Sequence, residues 1–556
     1  MSETALPPGK TYAEVCAQFK WRVPAQFNIA TAICDRHASD VARVAMIYET
    51  EEGAVSEHSF AEFRARSNQL AHALRRLGVQ RGGCVGVVMS QRPETATAHL
   101  AIYKLGAIVL PMAALFGPEA LEYRLQSAGV RVVLTDAMSL DKLLDVQAKL
   151  PQLTHIISAD PSGVKGVLDY RTLLAPESES FEPVATLADD PALLIFTSGT
   201  TGPPKGALHA HRMMLGRMPS MEFVHQRFPQ PGDRFWTPAD WAWAGGLLDM
   251  LLPSWYHGVT VVAYRSRKFE VERAFALMAR HRIRNVFLPA TVLKMMRQSG
   301  APRDDGSLQG RKVQLRTIHT GGETTGEEVI RWAEEALGAT PHEAFGQTEA
   351  VMIIGNCVDL MPLKPGSLGR PIPGHDIALL DAQGQPVADG AIGEIALKRP
   401  VPGMFLRYWN DEAATREKFS GDWLLTGDLA TKDADGYLWY TGRKDDVISS
   451  GAYRIGPGEI EASLTGHPAV ERAAAVGSPD PIRGEVVKAF VQLRPGFTPS
   501  AELAAELQAH VRTRLSAHEY PREIEFVDAI PVTTTGKVMR KELRQLERER
   551  KLGKAA

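Results

Sequence analysis

Leu194-Ile195-Phe196-Thr197-Ser198-Gly199-Thr200-Thr201-Gly202-Pro203-Pro204-Lys205-Gly206 sets an apolar run directly against hydroxyls, glycines and one lysine. Ala192 to Phe196 reads as a short buried strand, because a brief apolar run bounded by turn residues is that element's signature. Glycines just after a strand let the backbone approach a ligand and turn its amides toward an anion. Thr197, Ser198, Thr200 and Thr201 add hydroxyl donors, Gly199 and Gly202 add freedom, and Lys205 adds charge. The competing reading is a surface turn. The two prolines suit a turn, but four hydroxyls and a lysine behind Leu193 to Phe196 suit a phosphate better. The spacing fits neither G-x-x-x-x-G-K-[ST] nor G-x-G-x-x-G. The loop therefore points to an anion without naming a reaction.

Around this loop, apolar strand candidates alternate with helical spacing. Phe60 to Leu77 has helical periodicity and stops at Gly78, Val85 to Met89 reads as a strand, and Glu94 to Leu105 as a helix. Val130 to Thr135, Val259 to Ala263, Val286 to Leu288 and Leu315 to His319 repeat the strand cue, with helices expected over Val271 to His281 and Gly326 to Leu337. This alternation predicts an α/β protein with parallel sheet, in which functional loops leave the carboxyl ends of strands. After about Gly366 the pattern changes to short strands and tight turns, as in Asp376 to Asp381 and Gly393 to Leu397. A second change falls at Thr441-Gly442-Arg443-Lys444-Asp445-Asp446. The expected organisation is a large N-terminal domain, residues 1–444, of parallel α/β subdomains plus a small β-rich subdomain. A small mobile α+β domain, residues 445–556, follows. In it Glu485 to Leu493 reads as strand, Ser500 to Leu515 as amphipathic helix, and Glu547 to Ala556 as a fraying charged helix.

Composition narrows the class. With 556 residues, 44% hydrophobic and 23% charged, the chain has material for several cores. A formal net charge of -2 gives no reason to expect a nucleic-acid partner. No uninterrupted apolar stretch reaches membrane-spanning length, and Met1-Ser2-Glu3-Thr4 lacks a secretory pattern. Cys16, Cys34, Cys84 and Cys357 form neither a disulfide framework nor a CxxC site. A cytoplasmic setting is the expectation.

Other segments carry polar chemistry, each with a plainer alternative. Phe345-Gly346-Gln347-Thr348-Glu349 combines a ring for stacking on a base with a carboxylate for Mg²⁺, or is an ordinary charged turn. Asp428, in Leu425-Thr426-Gly427-Asp428-Leu429, reads as an acid on a tight loop that either takes ribose hydroxyls or is merely solvated. Lys537, in Pro531-Val532-Thr533-Thr534-Thr535-Gly536-Lys537, sits on a flexible-looking loop, where an exposed lysine usually only solubilises. His209 and His211 share a spacing that some metal sites use, but without a matching cluster packing roles are favoured.

Taken together and in this order, TSGTTGPPKG at Thr197 to Gly206, FGQTE at Phe345 to Glu349, TGD at Thr426 to Asp428, TGRKDD at Thr441 to Asp446 and TTTGK at Thr533 to Lys537 resemble the adenylate-forming acyl-CoA synthetase superfamily. The resemblance runs from about residue 30 to 545, and Gly451 to Val491 is most similar to the medium-chain branch. It implies ATP, Mg²⁺ and coenzyme A, with an acyl-adenylate formed first and an acyl-CoA second. By the same resemblance Thr197, Ser198, Gly199, Thr200, Thr201, Gly202 and Lys205 grip phosphates. Gly321, Gly322 and Glu323 run beside the adenine, with Phe345, Gly346 and Gln347 completing the nucleotide site. Thr348 binds the α-phosphate and Glu349 the metal. Asp428 and Arg443 take the ribose, and Lys537 bridges the reacting carboxylate and the nucleotide. Asp445 matches the hinge position, while Gly451 and Arg454 serve the coenzyme A step.

The chain departs from the family at Phe345, where tyrosine is common. In Pro238-Ala239-Asp240-Trp241-Ala242-Trp243-Ala244-Gly245-Gly246, Trp241 and Trp243 are candidate walls of an acyl pocket and Gly245 leaves room in it. The alternative for either ring is core packing. Pro341-His342-Glu343-Ala344 lacks the tryptophan pair of a small acetate pocket, so a medium-chain, branched or aryl acid is expected. The competing functions are acyl transfer to a carrier protein or amine, and nucleotide binding without catalysis. A homodimer and acetylation of Lys537 by an acetyltransferase, reversed by a deacetylase, are both compatible with the chain.

Overall fold

The structure is a computed structural model of the full chain and describes residues 4–197, 204–264, 268–300, 313–322, 325–444, 446–450, 453–480, 484–514, 520–533 and 537–553. The chain forms two compact units, Met1–Asp376 with Lys398–Asp422, and Ile377–Leu397 with Trp423–Ala556.

The first unit is built on two large sheets. One has nine strands whose centre is parallel: Pro341–Gln347, Thr317–Gly321, Asn285–Phe287, Arg234–Trp236, Thr260–Tyr264 and Val44–Glu49 lie side by side in that order. The other has eight strands, among them Lys205–Ala210, Pro191–Thr197, Ile108–Pro111, Cys84–Val88 and Val132–Thr135. Its core is again parallel, with Lys205–Ala210 added antiparallel. The expected α/β alternation is present, and its strands are buried runs such as Val132–Thr135. Helices seal the first sheet through a core that includes Phe275, Leu293, Ile318 and Ala333.

Local chemistry explains the element ends. The expected helix from Phe60 forms over Phe60–Arg76, capped at its start by a reciprocal pair: Glu62 N–H to Ser59 Oγ at 3.2 Å and Ser59 N–H to Glu62 Oε2 at 2.9 Å. Such caps satisfy two orphan donors and are each worth about 1 kcal/mol. Helix Met213–Val224 is buried on nearly every side, and its polar side chains are partnered: Arg217 Nε donates to the Leu248 carbonyl at 3.0 Å, Ser220 Oγ to the Met352 carbonyl at 2.8 Å, and Glu222 meets His257 at 3.0 Å.

The second unit holds two smaller sheets. Ile377–Leu380, Gly393–Lys398, Trp423–Lys432 and Leu438–Arg443 form one. Val470–Asp480, Gly484–Leu493, Ile448–Ser450, Tyr453–Ile455 and Glu523–Phe526 form the other. Both faces of this last sheet are covered. Ala473 and Ala475 pack with Ile460, Leu507 and Val511, while Ala474, Val476 and Phe490 pack with Leu543. The strand therefore reads as a continuous apolar run. The C-terminal helix differs from the fraying tail expected of it. It spans Arg540–Gly553, and Glu547, only 1% exposed, accepts from Ser478 Oγ at 2.7 Å and Lys488 Nζ at 2.5 Å.

Candidate active site

In the first unit, four candidate segments leave strands at their carboxyl ends, where α/β folds place their sites. Strand Pro191–Thr197 pairs with Lys205–Ala210 so that Thr197 stands opposite Lys205, and Thr197 Oγ1 donates to the Lys205 carbonyl at 3.3 Å. Ser198, Gly199, Thr200, Thr201 and Gly202 lie outside the described residues. The hairpin thus brings the first hydroxyl and the lysine of the candidate loop together.

Tyr408 joins this hairpin to the second motif. It stands opposite Ala207 on the next strand, its hydroxyl donates to Glu349 Oε1 at 2.5 Å, and the Lys205 ammonium lies 5.5 Å from its ring centroid. Glu349 is buried, and a buried carboxylate needs a partner. A neutral phenol supplies a hydrogen bond but leaves the negative charge uncancelled, so the carboxylate keeps its affinity for a cation. Lys205 gains a modest attraction to the same ring.

Phe345, Gln347 and Thr348 are half-buried around the end of Pro341–Gln347, and Gly346 is exposed. A Cβ on Gly346 would stand 2.1 Å from the Val351 carbonyl oxygen, so no other residue fits. Val351 itself has φ 58°, a left-handed conformation that costs a β-branched residue on the order of 1–3 kcal/mol. The turn carrying Thr348 and Glu349 is therefore held in a strained shape between two fixed strands. Gly321 and Gly322 close the neighbouring strand, and Glu323 lies outside the described residues.

The acyl-site segment follows strand Arg234–Trp236. Trp241 is fully buried, whereas Trp243 is half-buried and meets Phe116 edge to face at 5.7 Å. A Cβ on Gly245 would come within 2.5 Å of the Phe287 ring. Phe287 in turn lies 4.8 Å from His319, whose pKa burial pushes down to about 3, making it a neutral ring. Asp240 accepts the Ala242 N–H at 2.9 Å. By surface area it is half-buried, yet crowding around its carboxyl raises the pKa to about 6, with the charge of Asp136 adding to the rise.

In the second unit, Asp428 lies within strand Trp423–Lys432 rather than on the tight loop expected of it. Burial alternates along this strand, and Asp428 falls on the same buried face as Leu424, Thr426 and Ala430. Its partners come from the paired strand: Arg443, directly opposite in register, reaches it at 3.3 Å, and the Tyr440 hydroxyl donates to it at 3.2 Å. Lys537 belongs to the same neighbourhood although it lies far along the chain. Its pKa is lowered first by burial, raised by the charges of Asp428 and Asp446, and lowered by those of Arg443 and Arg540. Its side chain is exposed by area, so this crowding is local to the ammonium. Thr533 N–H donates to the Lys537 carbonyl at 2.8 Å, and Lys537 N–H donates to Thr533 Oγ1 at 3.1 Å. Asp445 and Gly451 lie outside the described residues, and Arg454 holds a register position opposite Ser449.

Residues 34–409 match the AMP-binding enzyme family, and residues 459–537 match the AMP-binding enzyme C-terminal domain. The chain belongs to the AMP-binding enzyme family. Its relatives place it in the adenylate-forming acyl-CoA ligase family. It is 33% identical over 554 residues to an acetyl-coenzyme A synthetase of Bacillus subtilis (strain 168), covering 97% of this chain and 95% of that protein. A mitochondrial acyl-coenzyme A synthetase of Mus musculus is 32% identical over 560 residues, covering 98% and 95%. The solved structure of the anthranilate CoA ligase AuaEII in complex with anthranoyl-AMP superposes with a TM-score of 0.84 at 29% identity, covering 96% of this chain and 99% of that one.

Sequence reasoning about this AMP-binding enzyme missed Tyr408, Tyr440 and Val351. Tyr408 sits in Phe405-Leu406-Arg407-Tyr408-Trp409, an aromatic run that signals packing until its register beside Ala207 is known. The two histidines are interior residues. His209 is fully buried, with its pKa pushed down to about 3 by desolvation. His211 accepts the Ile29 N–H at 3.2 Å. Among the described residues, no helix is long and apolar enough to cross a membrane.

Proposed function

We propose that this enzyme is an ATP-dependent, AMP-forming carboxylate–CoA ligase acting on a medium-chain, branched or aryl acid. The observation that carries the reading is the convergence of Asp428, Arg443 and Lys537, which gives one unit a carboxylate acceptor, its guanidinium donor and a second cation together. In the first half-reaction a carboxylate oxygen attacks the α-phosphorus of ATP and the bond to pyrophosphate breaks. In the second, the sulfur of coenzyme A attacks the acyl carbonyl, its proton leaves to solvent, and the bond to AMP breaks. Lys537 stabilises the charge that builds between carboxylate and phosphorus, the electrostatic task that usually dominates catalysis. Lys205, Thr197 and Thr348 bind phosphate oxygens, and the remaining hydroxyls and glycines of Thr197 to Lys205 complete that cradle.

Mg²⁺ fits the residues present. Glu349 is a buried carboxylate that accepts a hydrogen bond from the Tyr408 phenol, and Mg²⁺ takes one or two carboxylates plus substrate oxygens. Among the described residues, no group of three or more His, Cys, Asp or Glu is placed to hold a metal, so phosphate oxygens and water would complete the shell. When bound, the ion neutralises phosphate charge.

The half-buried edge-to-face pair Trp243–Phe116, with Gly245 against Phe287, supports an apolar or aromatic acid. The likeness to an anthranilate CoA ligase points the same way. Residues 445–556 are proposed to turn about Asp445 between half-reactions, making 444/445 the division that the reaction uses. Carboxylate-dependent ATP–pyrophosphate exchange across a panel of acids tests the reading, and AMP release with coenzyme A should exceed release with an acyl-carrier protein. Absence of exchange with every acid would favour a nucleotide-binding protein without catalysis.

A further inference from the structure

Three residues beyond Lys537 the chain enters its last helix, and the first residue of that helix is fixed by two carboxylates. Arg540 donates to Glu461 through Nε, at 2.7 Å, and through Nη2. Its Nη1 reaches Asp446 Oδ2 at 3.3 Å. Arg544 takes the other Asp446 oxygen at 2.7 Å. Glu461 Oε1 also accepts the Ala475 N–H at 2.9 Å, which ties the cluster to strand Val470–Asp480. Arg540, Glu461 and Asp446 are largely buried. A two-pronged guanidinium–carboxylate pair in such surroundings fixes direction as well as distance.

This clamp sits at one end of the Lys537 segment. At the other end, Lys537 is bonded through both its N–H and its carbonyl to Thr533, and Met539 N–H donates to the Pro531 carbonyl at 2.9 Å. The core beneath it, Ala474, Val476, Phe490, Ile530 and Leu543, is apolar and does not include the clamp. Arg544 would still hold Asp446 if Arg540 were lost. The fork therefore does little that the core does not already do for folding, but it sets where the chain stands three residues after the lysine.

We infer that Arg540 is a positioning residue for adenylation: its fork onto Glu461 and Asp446 sets the placement of the Lys537 ammonium. This rests on the function proposed above. Removing the fork should harm the half-reaction that uses Lys537 and leave the other intact. Arg540 also acts on Lys537 through its charge. Burial is the largest influence on that lysine's pKa, Arg443 and Arg540 lower it, and Asp428 and Asp446 raise it. Loss of the Arg540 charge should move the lysine's titration upward, so that adenylation persists to higher pH.

The test compares full-length wild type with Arg540→Gln, Arg540→Lys and Glu461→Gln in two assays. These are carboxylate-dependent pyrophosphate exchange, and acyl-CoA formation from supplied acyl-adenylate. Arg540→Gln should slow exchange about 100-fold, the cost of a misplacement near 1 Å, while thioester formation stays within about threefold. Its alkaline limb should lie at higher pH than that of wild type. Arg540→Lys keeps the charge but loses the fork, so its rate should fall while its alkaline limb stays near the wild-type position. Glu461→Gln, close to isosteric, should show a smaller loss in the same half-reaction if Arg540→Gln fails to fold. Equal loss in both half-reactions, or unchanged exchange in folded variants, would overturn the positioning role. An inactive wild type in both assays would overturn the ligase reading and this inference with it.

Discussion

The phosphate-side residues of the first unit and the lysine-side residues of the second are assembled in opposite ways. Thr197 and Lys205 lie eight residues apart and meet because a hairpin folds on itself. Asp428 and Arg443 meet in the same local fashion, but Lys537 joins them from a segment far later in the chain. The first group is held in the register of an antiparallel strand pair. The second depends on a chain segment pinned by a few hydrogen bonds and ion pairs. An enzyme that uses one lysine in only one of two half-reactions has reason to place it on the adjustable side.

After the loss of Lys537 itself, the largest effect should come from the point where the second group is anchored. Asp428→Ala removes the proposed acceptor of the ribose hydroxyls and takes one hydrogen-bond partner each from Arg443 and Tyr440. It should lower kcat/KM for ATP about 100-fold, two charged hydrogen bonds' worth, mostly through KM. A small change would show that the strand pair does not read the nucleotide.

On the other side, Tyr408→Phe keeps the ring beneath Lys205 but deletes the bond to Glu349. It should slow adenylation about tenfold, as expected for one hydrogen bond to a charged group, and raise the Mg²⁺ concentration needed for half-maximal rate. Unaltered Mg²⁺ dependence would separate Tyr408 from the metal.

A smaller effect concerns stability alone. Burial pushes the Asp240 carboxyl up to a pKa of about 6 in the folded chain, above its ordinary value of 3.8. A carboxyl whose folded pKa is raised costs stability as pH climbs from about 4 to 6, because the unfolded chain ionises first. Asp240→Asn should therefore raise Tm at pH 7.5 and leave it unchanged below about pH 4. The gain is at most about 3 kcal/mol, reduced by the part of Asp240 that water reaches. Thermal melts at the two pH values check this, and an equal shift at both would refute the burial cause.

Much of this arrangement is legible before the fold is known, and the reasons are local. Apolar runs such as Ala192 to Phe196 mark buried parallel strands by themselves, and the observed strand is Pro191–Thr197. Thr197, Lys205 and Glu349 stand out because hydroxyls, charges and glycines cluster at strand ends. What the sequence conceals is register and burial. Asp428 looks like a loop acid because Gly427 precedes it, yet it belongs to a strand's buried face. Glu547 looks like a solvated helix charge, but Lys488 arrives from a strand to bury it. Tyr408 carries no pattern at all, since its meaning comes from which residue lies opposite.

Lys537 is proposed to serve one half-reaction and not the other. With Lys537→Ala, carboxylate-dependent pyrophosphate exchange should fall by about 100- to 1000-fold, the usual cost of one preorganised charge-stabilising group. Acyl-CoA formation from supplied acyl-adenylate should stay close to wild type. Equal loss of both half-reactions would contradict it.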